Sequence, residues 1–475
     1  MENTFDYALT AFQFFFDNIL AKPEFFIGLL VFLGYMLLGK GLAESFSGFI
    51  KAAVGFMILL VGSSGMVGAF SPVLTGLIEK YDLKAAVIDS NFGYAAANKG
   101  LESIGESTSL TMVVLLVGFL FNILLIALKR ITKIRTLFIT GHIMVKQSAF
   151  LTFMVFYAVP SLRSIEGAII IGILIGTYWA VFSNLTLEAT DSLVGERAFA
   201  VGHPQMFGIW LVDKFAAKFG DKNKTIDNVK LPKAISVMSD NVVGTSVVML
   251  LMFGAVLIAL GPETMKELDP GTYKDFSFAA YVVSKCLSFT VFFLILQMGV
   301  KMFVSELIES FMGISNKLLK GSVPAVDCAA TFGFANPNTI LLGFICGTIG
   351  QIVAILGLLV FKSPIMIISG FVPLFFDNAT LAVFAHNKGG VRAAVIMPII
   401  SGVLQVLGGA IGVLMFSLYQ FGGWYGNLDF ATAWIGFGFL IKNFEIIGLV
   451  LALIIMLAIP QLQYLRNKDK YFEGT

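Results

Sequence analysis

A few ionisable residues stand in stretches too apolar to hold them without a partner. Asp327 lies inside VPAVDCAATFGF, and His142 and Lys146 lie inside the apolar run 137–160. An isolated carboxylate in such surroundings has to be paired, to coordinate something, or to bind ligand. The plainer reading of Asp327 is a helix cap or an internal salt bridge with Lys146. The chain has three histidines: His142, His203 and His386. The first two are candidates for ligand contact, and His386, beside Gly389-Gly390, reads as structural. No two histidines are spaced as metal ligands on a helix and no acidic cluster surrounds them, so neither a metal nor another cofactor is expected. No GxxxxGK[ST] occurs, so the chain is not expected to hydrolyse ATP, and a TVGYG-like filter and arginine-rich sensor spacing are absent too.

The elements that hold these residues must be membrane helices. Over 475 residues, 57% are hydrophobic and 13% charged, against roughly 25% charged in an ordinary soluble domain. The 48 glycines suit helices that approach closely in lipid. The formal net charge of +2 gives no field for nucleic acid. Cys286, Cys328 and Cys346 lack ligand or redox spacing and read as small buried hydrophobes. Glu2 and Asp6 replace the basic start of a removable signal peptide.

The expected fold is all-α, a polytopic helical transporter in one integral membrane unit, 1–475. About eleven spans fall near 24–39, 50–70, 110–128, 137–160, 166–184, 240–260, 277–300, 338–361, 365–386, 392–418 and 436–459. The fourth holds His142 and Lys146, and the ninth holds Pro373, Asp377 and Asn378, so both are expected to be re-entrant or broken. Basic residues gather after odd-numbered spans: Lys129 to Arg135, Lys214 to Lys233, Lys388 with Arg392, and Arg466 to Lys470. That pattern places the N-terminus outside and the C-terminus in the cytoplasm. The segment 208–219 spaces Ile209, Val212, Phe215 and Phe219 as one stripe, the pattern of an interfacial helix.

Two internal matches suggest related halves, approximately 25–235 and 280–465. LAESFSG (42–48) recurs as LIESFMG (307–313), and the same offset sets Gly62 on Asp327 and Pro72 on Pro337. On the span count this repeat is parallel. A weaker match, ITGHIM (139–144) with ISGFVP (368–373), would be inverted, and the sequence leaves the orientation open.

Several ungapped motifs occur together: RITKIRTLFITGHIM (130–144), VGH (201–203), VDCAA (326–330), GTIGQ (347–351), GFVPLFFDNATLAVFA (370–385) and GGVRAA (389–394). In this combination the chain resembles the ascorbate-type permease, the IIC component of the bacterial phosphoenolpyruvate-dependent phosphotransferase system. The resemblance implies a homodimeric inner-membrane permease of eleven spans, in which a substrate-carrying core moves in elevator fashion against a dimerising domain. It implies ascorbate or a related sugar as substrate, phosphorylated by a phosphocysteine on a separate cytoplasmic IIB protein, so the chemistry belongs to that partner. The ligand contacts it implies are Gly62, Ser63, Ser90, Asn91, His142, Ile143, Met144, Val145, Lys146, His203, Pro204 and Asp327. This chain departs from the pattern at Ser90-Asn91, where the pattern has Thr-Tyr, and at Lys146 and Pro204, where it has Gln. The residues alone also allow an ion-coupled secondary transporter, with Asp327 and Lys146 carrying or balancing charge, or, more remotely, an enzyme acting at the membrane.

Overall fold

The computed structural model describes residues 22–81, 84–226, 240–274, 276–319 and 321–473. Glu2, Asp6, Lys230 and Lys233, used above, lie outside these residues, as does the side chain of Ser63. In chain order the main elements are α1 (Pro23–Leu38), α2 (Leu42–Tyr81), β1 (Lys84–Ile88), α3 (Ser90–Ser103), α4 (Leu110–Ala127), β2 (Thr136–Phe138), α5 (Gly141–Ala158), α6 (Ile165–Val194), β3 (Ala200–Val201), α7 (Met206–Phe215) and α8 (Asn241–Leu260). Then follow α9 (Phe278–Leu318), β4 (Val323–Val326), a 3-10 turn (Cys328–Phe334), α10 (Pro337–Val360), β5 (Ile365–Ser369), α11 (Asn378–Met415), β6 (Gly423–Trp424), α12 (Leu428–Ala431) and α13 (Ala433–Arg466).

The chain is mostly helical, as expected, and among the described residues six short strands interrupt the helices. The strands form two parallel three-stranded sheets, in the orders β5-β1-β6 and β2-β4-β3. Each sheet takes its central strand from one part of the chain and both edges from the other. The strands are only 2 to 5 residues long and lie within or beside apolar runs, where alternation cannot separate strand from helix. The expected fourth span resolves into β2 followed by α5, and the expected ninth into β5, a wide helical turn at Pro373–Asp377 and the start of α11. Both of the polar stretches are therefore broken.

Among the described residues, seven helical segments are long and apolar enough to cross a membrane: Leu42–Gly62, Leu110–Ala127, Ile165–Val194, Val242–Leu260, Asn338–Val360, Pro373–Met415 and Ala433–Arg466. The chain is a multi-pass membrane protein. The expected ninth and tenth spans are one run, bent at Gly390, whose φ of 66° and ψ of −162° suit glycine. Into that bend packs the loop after α7: Val391 N–H donates to the Lys224 carbonyl at 2.9 Å, and a Cβ on Gly390 would lie 2.1 Å from the Asp221 carbonyl oxygen. α13 is interrupted at Glu445, which has a φ of 49°.

α2 and α9, of 40 and 41 residues, are each about 60 Å long, near twice a bilayer's hydrocarbon core. They run antiparallel, since Gly55 meets Phe303 and Gly65 meets Phe292. LAESFSG thus opens α2 while LIESFMG lies at the end of α9. The two segments meet through Lys40, whose Nζ is 2.8 Å from Glu44 of the first and 2.7 Å from Glu309 of the second. ITGHIM and ISGFVP, the weaker match, both lie at strand-to-helix junctions.

Glycine sets the tightest crossings. A Cβ at Gly176 of α6 would stand 2.4 Å from the Gly118 carbonyl oxygen of α4, and one at Gly350 of α10 would stand 2.2 Å from the Ile399 carbonyl oxygen of α11. Without a hydrophobic drive between helices in lipid, such backbone approach supplies the packing. Gly350→Val should lower thermal stability by at least 1–3 kcal/mol. Gly357→Val, where nothing lies within 4 Å of the added Cβ, should leave it unchanged; melting curves of the detergent-solubilised protein compare the two.

Candidate functional site

Parallel strands end on one side, so each sheet sends its chains out together, and every strand leads through a short turn into helical backbone. The helix starts that follow carry unpaired N–H groups that buried carboxylates can satisfy. Asp89, after β1, accepts from Asn91 N–H at 2.8 Å and from Val372 N–H at 3.0 Å, so one carboxylate holds the starts of two helices from distant parts of the chain. Asp377 accepts from Leu428 N–H and the Asn427 side chain, both at 2.7 Å, and from the Gln405 side chain at 3.2 Å. Asp429 accepts from Tyr178 Oη at 2.7 Å and from Phe207 N–H at 3.0 Å. Asp89, Asp377 and Asp429 are fully buried.

The predicted contact residues fall into this frame. His142 is at the second position of α5, and its Nε2 is 3.4 Å from Asp327 Oδ2. Asp327 follows β4 and caps the 3-10 turn through Ala329 N–H at 2.9 Å. One turn further along α5, on the face of His142, Lys146 Nζ donates to Asn91 Oδ1 at 2.5 Å. Ser90 and Asn91 open α3. His203, after β3, contacts the Gln205 side-chain oxygen through Nδ1 and stands 3.8 Å from Asp377 Oδ1. The carbonyl of Pro204 accepts from Asp429 N–H at 2.9 Å. Ile143, Met144 and Val145 are buried in the core between these contacts.

Two expectations change, on the partner of Lys146 and on the stripe of 208–219. The salt bridge suggested between Lys146 and Asp327 is replaced: Asp327 pairs with His142 and caps a turn, while Lys146 goes to Asn91, with Asp89 and Asp327 near enough to act on it electrostatically. Among the described residues, no hydrogen bond or ion pair joins Gly62, buried midway along α2, to this group. The stripe of 208–219 is only partly interfacial, since Ile209 and Val212 are buried in the core while Phe215 and Phe219 are exposed. His386 has the structural role expected, its Nε2 accepting from Ile226 N–H at 3.1 Å, and the three cysteines are buried. Asp89, Asp377 and Asp429 were missing from the predicted site. Asp89 ends an apolar strand, AAVI, and leads into a helix, which is the cue a capping search would use.

Several fully or nearly buried polar atoms here have no hydrogen-bond partner among the described residues: Ser90 Oγ, Asn91 Nδ2, Thr140 Oγ1 and His142 Nδ1. Together with Lys146 and Asp327 they offer donors and acceptors at the close spacing that a polyhydroxylated small molecule requires. A family model described as the sugar-specific permease component of the phosphotransferase system, EIIC-GAT, matches residues 18–438. This chain belongs to that family. It is 31% identical over 434 residues to the ascorbate-specific phosphotransferase-system EIIC component of Mycoplasma pneumoniae, a match covering 83% of this chain and 65% of that relative. The chain thus spans a little under two thirds of the relative's length.

Asp89 needs both oxygens as acceptors, so Asp89→Asn should destabilise the permease by about 1–3 kcal/mol through one unmet helix N–H. The check is thermal unfolding beside Asp240→Asn, a change at the exposed cap of α8 that should cost less.

Proposed function

We propose that this permease carries a sugar or sugar acid related to ascorbate across the membrane and presents it for phosphorylation by a phosphocysteine on a separate cytoplasmic IIB protein. The observation that carries this is the convergence of Asn91, His142, Lys146 and Asp327 at strand-to-helix junctions of both sheets, in a chain of the sugar-permease family. The likeness to an ascorbate-specific relative supports the substrate class.

We read the chain as two inverted halves, approximately 25–235 and 280–465. In support, the order long helix, strand, short helix or 3-10 turn, apolar helix, strand, helix, long helix, strand occurs from α2 to β3 and again from α9 to β6, the two parts of the bent α11 serving as helix and long helix, and α2 and α9 are antiparallel. A homodimer with elevator-like motion of the strand-bearing core is what the family resemblance implies. The proposed topology has the N-terminus outside and the C-terminus in the cytoplasm. In support, contacts link several of the segments that carry basic exits. Tyr471 Oη donates to the Lys133 carbonyl and Arg135 donates to the Tyr471 carbonyl, while Arg197 reaches the Glu473 carbonyl and Lys388 pairs with Asp213.

Proteoliposomes supplied with phosphorylated IIB protein should deliver phosphorylated sugar. Uptake of unmodified solute that an uncoupler abolishes would instead establish an ion-coupled transporter. Asp327→Asn should weaken sugar binding at least tenfold, about 1.4 kcal/mol, while the protein keeps its fold, as titration calorimetry and a melting curve would show. A cysteine placed at Lys222 should react with impermeant reagent only in inverted vesicles.

A further inference from the structure

Lys146 is 4% exposed and carries three N–H donors, yet Asn91 Oδ1 is its one hydrogen-bond partner among the described residues. The carboxylates nearby are committed elsewhere, Asp89 to two helix starts and Asp327 to its cap and His142. A buried ammonium with open donors is costly unless something oxygen-rich completes it. Beside it are two further buried groups without partners, Ser90 Oγ and Asn91 Nδ2, at the start of a 14-residue helix whose amino end favours negative charge. Lys146, Asn91 and Ser90 therefore converge as donors on one small region. One turn of α5 away, about 5.4 Å along the helix axis, the character reverses: Asp327 and the unpartnered Nδ1 of His142 present acceptors.

We propose that the permease's substrate is a carboxylate-bearing sugar acid, with its carboxylate on Lys146, Asn91 and Ser90 and its hydroxyls toward His142 and Asp327. This rests on reading the group as the sugar site. A carboxylate has two localised anionic oxygens able to accept from three donors at once. The ascorbate anion spreads its charge over an enolate and ring and satisfies fewer of them. A neutral polyol offers these donors only uncharged acceptors. Lys146 is thus the residue that sets specificity at one end of the site, and Asp327 governs the other.

The experiment is calorimetric binding to the purified protein in nanodiscs, without IIB, using aldonates and uronates of four to six carbons, their uncharged alcohol counterparts and L-ascorbate. At least one acid should bind tenfold or more tighter than its alcohol and tighter than ascorbate. Lys146→Gln should erase that preference while leaving weak binding of the alcohol. Asn91→Asp, which supplies the ammonium with an internal carboxylate, should erase it too and keeps the buried lysine paired if the glutamine variant fails to fold. Equal binding of acid and alcohol, tighter binding of ascorbate, an unchanged preference in both variants, or no binding across the panel would each overturn the proposal. Selective acid binding without phosphorylation when IIB is added would instead remove the group-translocation reading and leave the carboxylate site standing.

Discussion

The site depends on one constraint: backbone N–H groups at helix starts buried inside the protein must find acceptors. Asp89 meets it for two helices at once, α3 and the helical turn after β5, which lie almost three hundred residues apart in the chain. Asp377 and Asp429 do the same for α12 and α7. Each buried carboxylate is offset by positive helix ends and side-chain donors, and Asp377 also has His203 at 3.8 Å. Pairing in this way lets irregular backbone exist inside the protein, because the polar groups that lipid would not tolerate are turned toward one another.

The parallel sheets follow from the same constraint. A lone short strand would expose both edges, whereas three strands from two regions of the chain satisfy one another and aim three chain exits the same way. β1 between β5 and β6, and β4 between β2 and β3, tie the two regions together so that neither sheet forms without both. α5 then spans the gap. Its start meets Asp327 from the end of the second sheet's central strand, and its next turn meets Asn91 from the end of the first's. Opposite polarities at the two ends of one helix face give the site a direction, which is what orienting an asymmetric ligand requires.

The C-terminal tail braces the same region. Arg135, fully buried, joins Asn184, Glu188 and the Tyr471 carbonyl while its guanidinium lies 3.7 Å from the centroid of the Tyr471 ring. This anchors the start of β2, one residue on from Arg135, and with it the approach to His142 and Lys146.

Composition and apolar runs were enough to establish a multi-pass membrane protein, since bilayer thickness and charge cost act on local sequence. The motifs around His142, Lys146, His203 and Asp327 marked the residues that now lie in one group, and the polar content of 137–160 and 365–386 marked both as broken. The partners were another matter. Lys146 with Asn91, Asp327 with His142, and Asp89 across to Val372 are contacts between distant segments, and no local periodicity encodes them. The strands stayed hidden because two to five apolar residues carry no distinguishing pattern, and their pairing is decided only when non-adjacent segments meet.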